Sequence, residues 1–82
     1  MKNHTQAIKE LTLMLLYLTS WEEKDPLEEK YLRSWKGYDF DVLNELADEE
    51  MIYQSIKSKS VNFSNEGVLV AKELLDKYGI AK

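Results

Sequence analysis

Trp21-Glu22-Glu23-Lys24-Asp25-Pro26-Leu27-Glu28-Glu29-Lys30-Tyr31-Leu32-Arg33-Ser34-Trp35 is the stretch on which the fold turns. Its first five residues read as a polar linker. Asp25 then supplies an N-cap, Pro26 sits at the first helical position with its φ already set, and Glu28 falls at the third, so a helix is expected to start here. It is short, about Pro26 to Ser34. Leu27, Tyr31 and Trp35 form its buried edge, and Lys30, Arg33 and Lys36 a small basic cluster.

Upstream, Ile8, Leu11, Leu15 and Leu18 recur at steps of three and four, which places them on one stripe of a helix. Asn3 with Gln6 resembles a capping box, so this first helix is expected from about His4 to Ser20. Leu13, Leu16 and Tyr17 line a second apolar face. A helix apolar on two sides needs two covers: the stripe packs into the core, and Leu13, Leu16 and Tyr17 meet either a second chain or the Trp21 to Leu27 segment folded back.

Downstream, Gly37 interrupts the pattern and Asp39 caps a third helix over 40–50, with Phe40, Leu43, Leu46 and Ala47 inward. After Met51 the period falls to two. Ile52, Gln54 and Ile56 share one side, and Val61 and Phe63 repeat the alternation beyond the Lys57-Ser58-Lys59-Ser60 turn, which predicts a two-stranded hairpin. Ser64 caps a last helix over 65–78, with Val68, Ala71, Leu74, Leu75 and Tyr78 inside and Gly79-Ile80 fitting a Schellman-type stop. The expected fold is α+β but mostly α: three N-terminal helices, a hairpin and a C-terminal helix in one domain spanning residues 1–82.

That order resembles the winged helix-turn-helix, with the hairpin as wing. Leu46 to Ile52 followed by Val61-Asn62-Phe63-Ser64-Asn65-Glu66-Gly67 is similar to the pattern of multiple-antibiotic-resistance-type repressors, where the recognition helix ends in Gly-Leu-Ile and the second wing strand leads through Leu-Thr-x-x-Gly into a helix. Here Glu50 stands where glycine is usual, and Phe63-Ser64 where leucine-threonine is. Across nearly the whole chain, Leu13-Met14-Leu15-Leu16-Tyr17-Leu18-Thr19, Ser34-Trp35-Lys36-Gly37-Tyr38-Asp39-Phe40-Asp41 and Lys57-Ser58-Lys59-Ser60-Val61 resemble a small, mostly bacterial family of uncharacterised domains. That resemblance implies a fold and carries no activity.

Composition narrows the rest. The 82 residues are 44% hydrophobic and 32% charged, enough for a core, although a chain this short buries only about 60–65% of its unfolded surface. No cysteine is present, which removes disulfides, thiolate metal sites and thiol nucleophiles. The apolar run Leu13 to Leu18 is far too short to cross a bilayer, and Met1-Lys2-Asn3-His4 lacks a secretory signal's pattern, so a cytoplasmic protein without membrane contact is expected. His4 is the sole histidine and has no fixed partner. Adjacent acids such as Glu22 with Glu23 diverge on a helix, and Gly37, Gly67 and Gly79 build no phosphate loop. Neither an enzyme, nor a cofactor, nor a small-molecule substrate is implied.

Charge decides between the remaining partners. The net charge is −4, and Asp39, Asp41, Glu45, Asp48, Glu49 and Glu50 crowd residues 37–50 without a single base. A recognition helix of that sign opposes a phosphate backbone. Contact with another protein or with a second copy, through Leu13, Leu16 and Tyr17, is therefore the favoured expectation. The alternative is a DNA-binding regulator that reaches phosphates through the wing lysines Lys57 and Lys59 together with Lys30, Arg33 and Lys36, with Trp35 stacking on a base.

Overall fold

Residues 21–35 form a β-hairpin, and this overturns the expected arrangement of three N-terminal helices followed by a wing. The computed structural model describes residues 4–55 and 57–81, in the order α1 (His4–Leu18), β1 (Trp21–Lys24), β2 (Lys30–Trp35), α2 (Phe40–Asp48), β3 (Ile52–Gln54), β4 (Ser60–Phe63) and α3 (Asn65–Lys77). Asn3, expected in a capping box, and Ile56, expected in a strand, lie outside the described residues. The strands make one antiparallel sheet in the order β1-β2-β4-β3, so the architecture is α+β with three helices and a four-stranded sheet, not a winged helix-turn-helix.

The physical reason lies in Asp25-Pro26. An aspartate followed by proline opens a type I turn as readily as a helix, because one helical turn and a type I turn share their first dihedrals. Here the Glu28 amide donates to the Asp25 carbonyl (2.8 Å), and the Asp25 carboxylate accepts from the amides of Leu27 and Glu29 (2.9 Å each). Glu28 then turns left-handed (φ 64°), as in a three-residue hairpin loop closed by a bulge. Beyond the turn the chain has the period of a strand: Tyr31, Arg33 and Trp35 point one way, Leu32 and Ser34 the other.

Register fixes the two faces. Trp21 pairs with Arg33, Arg33 with Asn62, and Asn62 with Tyr53, so one row crosses all four strands on the outer face. The alternate row, Ser34, Val61 and Gln54, faces the helices. There α1 packs on α2, α3 and β2, while α2 meets β3 and α3 meets β4. Leu43, Leu46, Ile52, Val61, Phe63, Ala71, Leu74 and Leu75 fill the core with the buried side of α1. Tyr17 meets Phe63 edge to face at 5.9 Å, and the hydroxyls of Thr19 and Ser34, 3.1 Å apart, tie α1 to β2.

Beyond α1, four positions expected to be buried lie outside: Leu27 and Trp35, which belong to the hairpin and not to a helix edge, and Phe40 and Tyr78 are all exposed. The helix caps agree closely with the sequence. Asp39 accepts from the amides of Asp41 and Val42, and Ser64 from that of Gly67. At the end of α3 the Gly79 amide donates to Asp76 (3.1 Å) and the Ile80 amide to Leu75 (2.9 Å), a Schellman stop with Gly79 left-handed (φ 69°).

Candidate functional site

Helix α1 is the first place where the surface departs from what a small domain needs. Its core side is Leu13 (2% exposed), Leu16 (0%) and Tyr17 (8%), together with Met14. The three residues expected to face a partner are thus consumed inside their own chain, covered by α2, α3 and the sheet. The stripe assigned to the core is the exposed one: Ile8 is 46% accessible, Leu11 54% and Leu15 46%, with Leu18 half-buried at its end. The two faces have exchanged roles.

The charged residues of α1 leave that stripe clear. Lys9 reaches sideways to pair with Glu49 at the end of α2, and Gln6 donates to Glu10 at 3.1 Å. On their own helix Ile8, Leu11, Leu15 and Leu18 are flanked by Ala7, Thr12, Met14 and Thr19, none of them charged, with Thr12 and Met14 buried against the rest of the domain. The result is an apolar crest about 15 Å long from Ile8 to Leu18, given a rise of ~1.5 Å per residue, with no charged side chain of its own helix beside it.

The outer face of the sheet is the second departure. Trp21 and Trp35 lie with ring centroids 4.9 Å apart and planes tilted by 44°. Trp35 is 62% accessible, and Tyr53, on the edge strand, is 59%. Between them Arg33 is held in place: Nε donates to Ser60 Oγ (3.0 Å), Nη2 to Ser58 Oγ (3.1 Å), and Nη1 lies 3.4 Å from Glu23 Oε2. Beside it a shallow cavity of about 190 Å³ is lined by Tyr53, Gln54, Ser58, Ser60 and Asn62. Glu23 also accepts from the Trp21 indole (2.8 Å) and the Tyr31 hydroxyl (3.1 Å). The Trp21 bond above all, with Tyr31 and Arg33 adding to it against the opposing effect of desolvation, holds the Glu23 carboxyl below its ordinary range.

The sequence-predicted basic cluster is divided by the strand. Lys30 faces the helix side and pairs with Glu22 at 3.6 Å, whereas Arg33 faces outward. Lys36 donates to the Ser55 carbonyl (2.7 Å), which carries it toward the β3–β4 turn, where Lys57 and Lys59 are exposed. Arg33, Lys36, Lys57 and Lys59 therefore gather at one end of the sheet. The acidic residues of 37–50 belong to α2 and its ends, in the helix layer. Trp21 and Tyr53 escape a reading of the sequence as surface residues, because their partners across the sheet become visible only once the register of β1 and β2 is known.

Among the described residues no cluster of three or more His, Cys, Asp or Glu side chains could hold a metal ion, and no helix is long and apolar enough to cross a membrane. No curated protein and no solved structure matches the chain. A family defined as a domain of unknown function (DUF6429) matches residues 4–81, and the chain belongs to that family.

Proposed function

We propose that this domain is a non-catalytic protein-interaction module that pairs with a second copy of itself through α1. What carries the reading is the exposed crest of Ile8, Leu11 and Leu15 on a helix whose other side is already buried. The crest advances from 8 to 11, 15 and 18 by alternating steps of three and four, the spacing of a coiled-coil seam. A seam with charged flanks selects a partner of opposite charge. One with Ala7, Thr12, Met14 and Thr19 beside it carries no such requirement, so two identical crests meet about a two-fold axis without like charges opposed.

The strength follows from area. Fully burying a leucine or isoleucine side chain gains about 1.5–3 kcal/mol, and the crest side chains of the two copies each have roughly half left to bury, for about 5–9 kcal/mol in all. Association costs about 4–15 kcal/mol, so the pairing is weak and depends on concentration. Sedimentation equilibrium over a micromolar to millimolar series tests it. The wild type is expected to shift from monomer to dimer and the Leu11→Gln/Leu15→Gln variant to remain monomeric; a wild type that stays monomeric throughout contradicts the reading.

A further inference from the structure

We propose that the outer face of the sheet binds single-stranded nucleic acid, with Trp35 and Tyr53 as stacking platforms and Arg33, Lys36, Lys57 and Lys59 as the phosphate-facing cations. The starting point is the row Trp21, Arg33, Asn62, Tyr53, which crosses four strands in direct register. With strands ~4.8 Å apart, the two aromatic ends of that row stand about 14 Å from one another. A flat antiparallel sheet that presents aromatic rings on separate strands accommodates about two or three unstacked bases, because every base offers a π-face whatever its identity. Trp35 and Tyr53 have the accessible ring surface this requires.

Charge selects the occupant. Residues 30–36 and 51–64, which supply β2, β3 and β4 with the turn between the last two, contain five basic residues and no acidic one. Lys30 is turned to the other side and the charge of Arg33 is offset by Glu23, so Lys36, Lys57 and Lys59 supply the net positive charge at the end of the sheet nearest Trp35. Among the described residues the one carboxylate in the outer rows, Glu23, is offset by Arg33 and occupied by Trp21 and Tyr31. Of the fifteen acids, six lie on α2 and its ends in the helix layer, and five more, Glu22, Glu23, Asp25, Glu28 and Glu29, lie on β1 and its turn into β2, the turn being at the end of β2 opposite Trp35. The open face is thus basic at the end that holds Trp35 and the β3–β4 turn and acidic toward the β1–β2 turn, and a polyanion with exposed rings complements the basic end.

Arg33 is ready for such a ligand. Its guanidinium is fixed by Ser58, Ser60 and Glu23, so little rotamer freedom is lost on binding, and Asn62 and the cavity beside Tyr53 offer polar groups to a base edge or sugar. Duplex DNA fits poorly, since its base faces are hidden and its phosphates alone would meet the sheet. This site lies on the sheet and is separate from the α1 crest, so disrupting one leaves the other intact.

The test uses the protein's own fluorescence, because Trp21 and Trp35 are its two tryptophans and both report from this face. Titration with an oligothymidylate of about a dozen nucleotides at low salt is expected to quench the emission, with an affinity that falls as salt rises. Trp35→Ala and Tyr53→Ala, both at exposed positions and checked for folding by circular dichroism, should each weaken binding by about tenfold. The Lys57→Ala/Lys59→Ala variant should lower the salt slope by about 1.4. Duplex of equal length should compete at least about tenfold less well. Absence of quenching at high micromolar oligonucleotide overturns the proposal, as does equal competition by duplex. So does a Trp35→Ala variant that binds normally, or one whose sedimentation shows that this face holds another protein chain instead.

Discussion

Gly67 in the first turn of α3 lies so close to the backbone of Met51 that a Cβ on it would stand 2.0 Å from the Met51 carbonyl oxygen. The same carbonyl accepts from the Ser64 amide (3.0 Å), and the Ser64 hydroxyl lies 2.9 Å from it while accepting from the Gly67 amide (2.9 Å). This contact locks the start of α3 to the end of α2. Gly67→Ala forces backbone apart from backbone, with no flexible side chain to yield, and is expected to cost about 3 kcal/mol or more. A total stability of roughly 4–12 kcal/mol makes that a large share, and a urea titration will show it as a lower midpoint.

Glu50 offers the opposite opportunity. The Met51 amide donates to the Leu46 carbonyl (2.9 Å) and the Glu50 amide to that of Ala47 (3.0 Å), so α2 ends in a Schellman motif with Glu50 at the left-handed position (φ 62°). A side chain there is strained, and glycine is not. Glu50→Gly should stabilise the domain by about 1 kcal/mol, read as a rise in the urea midpoint at unchanged slope.

The orientation of α1 can be read from two leucines. Leu16 is fully buried and Leu11 is exposed, five residues and nearly half a helical revolution apart in direction. At dilute protein concentration Leu16→Ala is expected to cost about 2–5 kcal/mol and Leu11→Ala less than about 1 kcal/mol. The reverse order would mean that the core holds the other stripe.

Glu23 links pH to the sheet face. Its carboxyl is depressed chiefly by the Trp21 indole bond, with Tyr31 and Arg33 contributing. A depressed folded value stabilises the fold above the ordinary carboxylate range, and this contribution is lost as pH falls through the folded value. Acidification should therefore change the tryptophan emission, with a midpoint below that of an ordinary glutamate, and Glu23→Gln should abolish the change.

Much of this chain announces itself. Asp39 and Ser64 as caps, the β3–β4 hairpin and the Gly79 stop all come from local chemistry, because each rests on hydrogen bonds within a few residues. Asp25-Pro26 misleads since it opens helix and turn alike, and the alternation of Tyr31, Arg33 and Trp35 is the signal that separates them. The faces of α1 pose a different difficulty. Ile8-Leu11-Leu15-Leu18 and Leu13-Leu16-Tyr17 are both good helical stripes, and periodicity is symmetric between them; only the surfaces of α2, α3 and β2 decide which is enclosed. Helical spacing groups Lys30 with Arg33 in one basic cluster, whereas a strand sends them to opposite faces.

The most direct measurement is methyl NMR of the leucines and isoleucines with a soluble paramagnetic probe, across a concentration series. Leu13 and Leu16 should be shielded at every concentration, while Ile8, Leu11 and Leu15 are bleached in dilute solution and become protected as the protein is concentrated. Bleaching of Ile8, Leu11 and Leu15 that persists unchanged to millimolar protein would contradict pairing through α1.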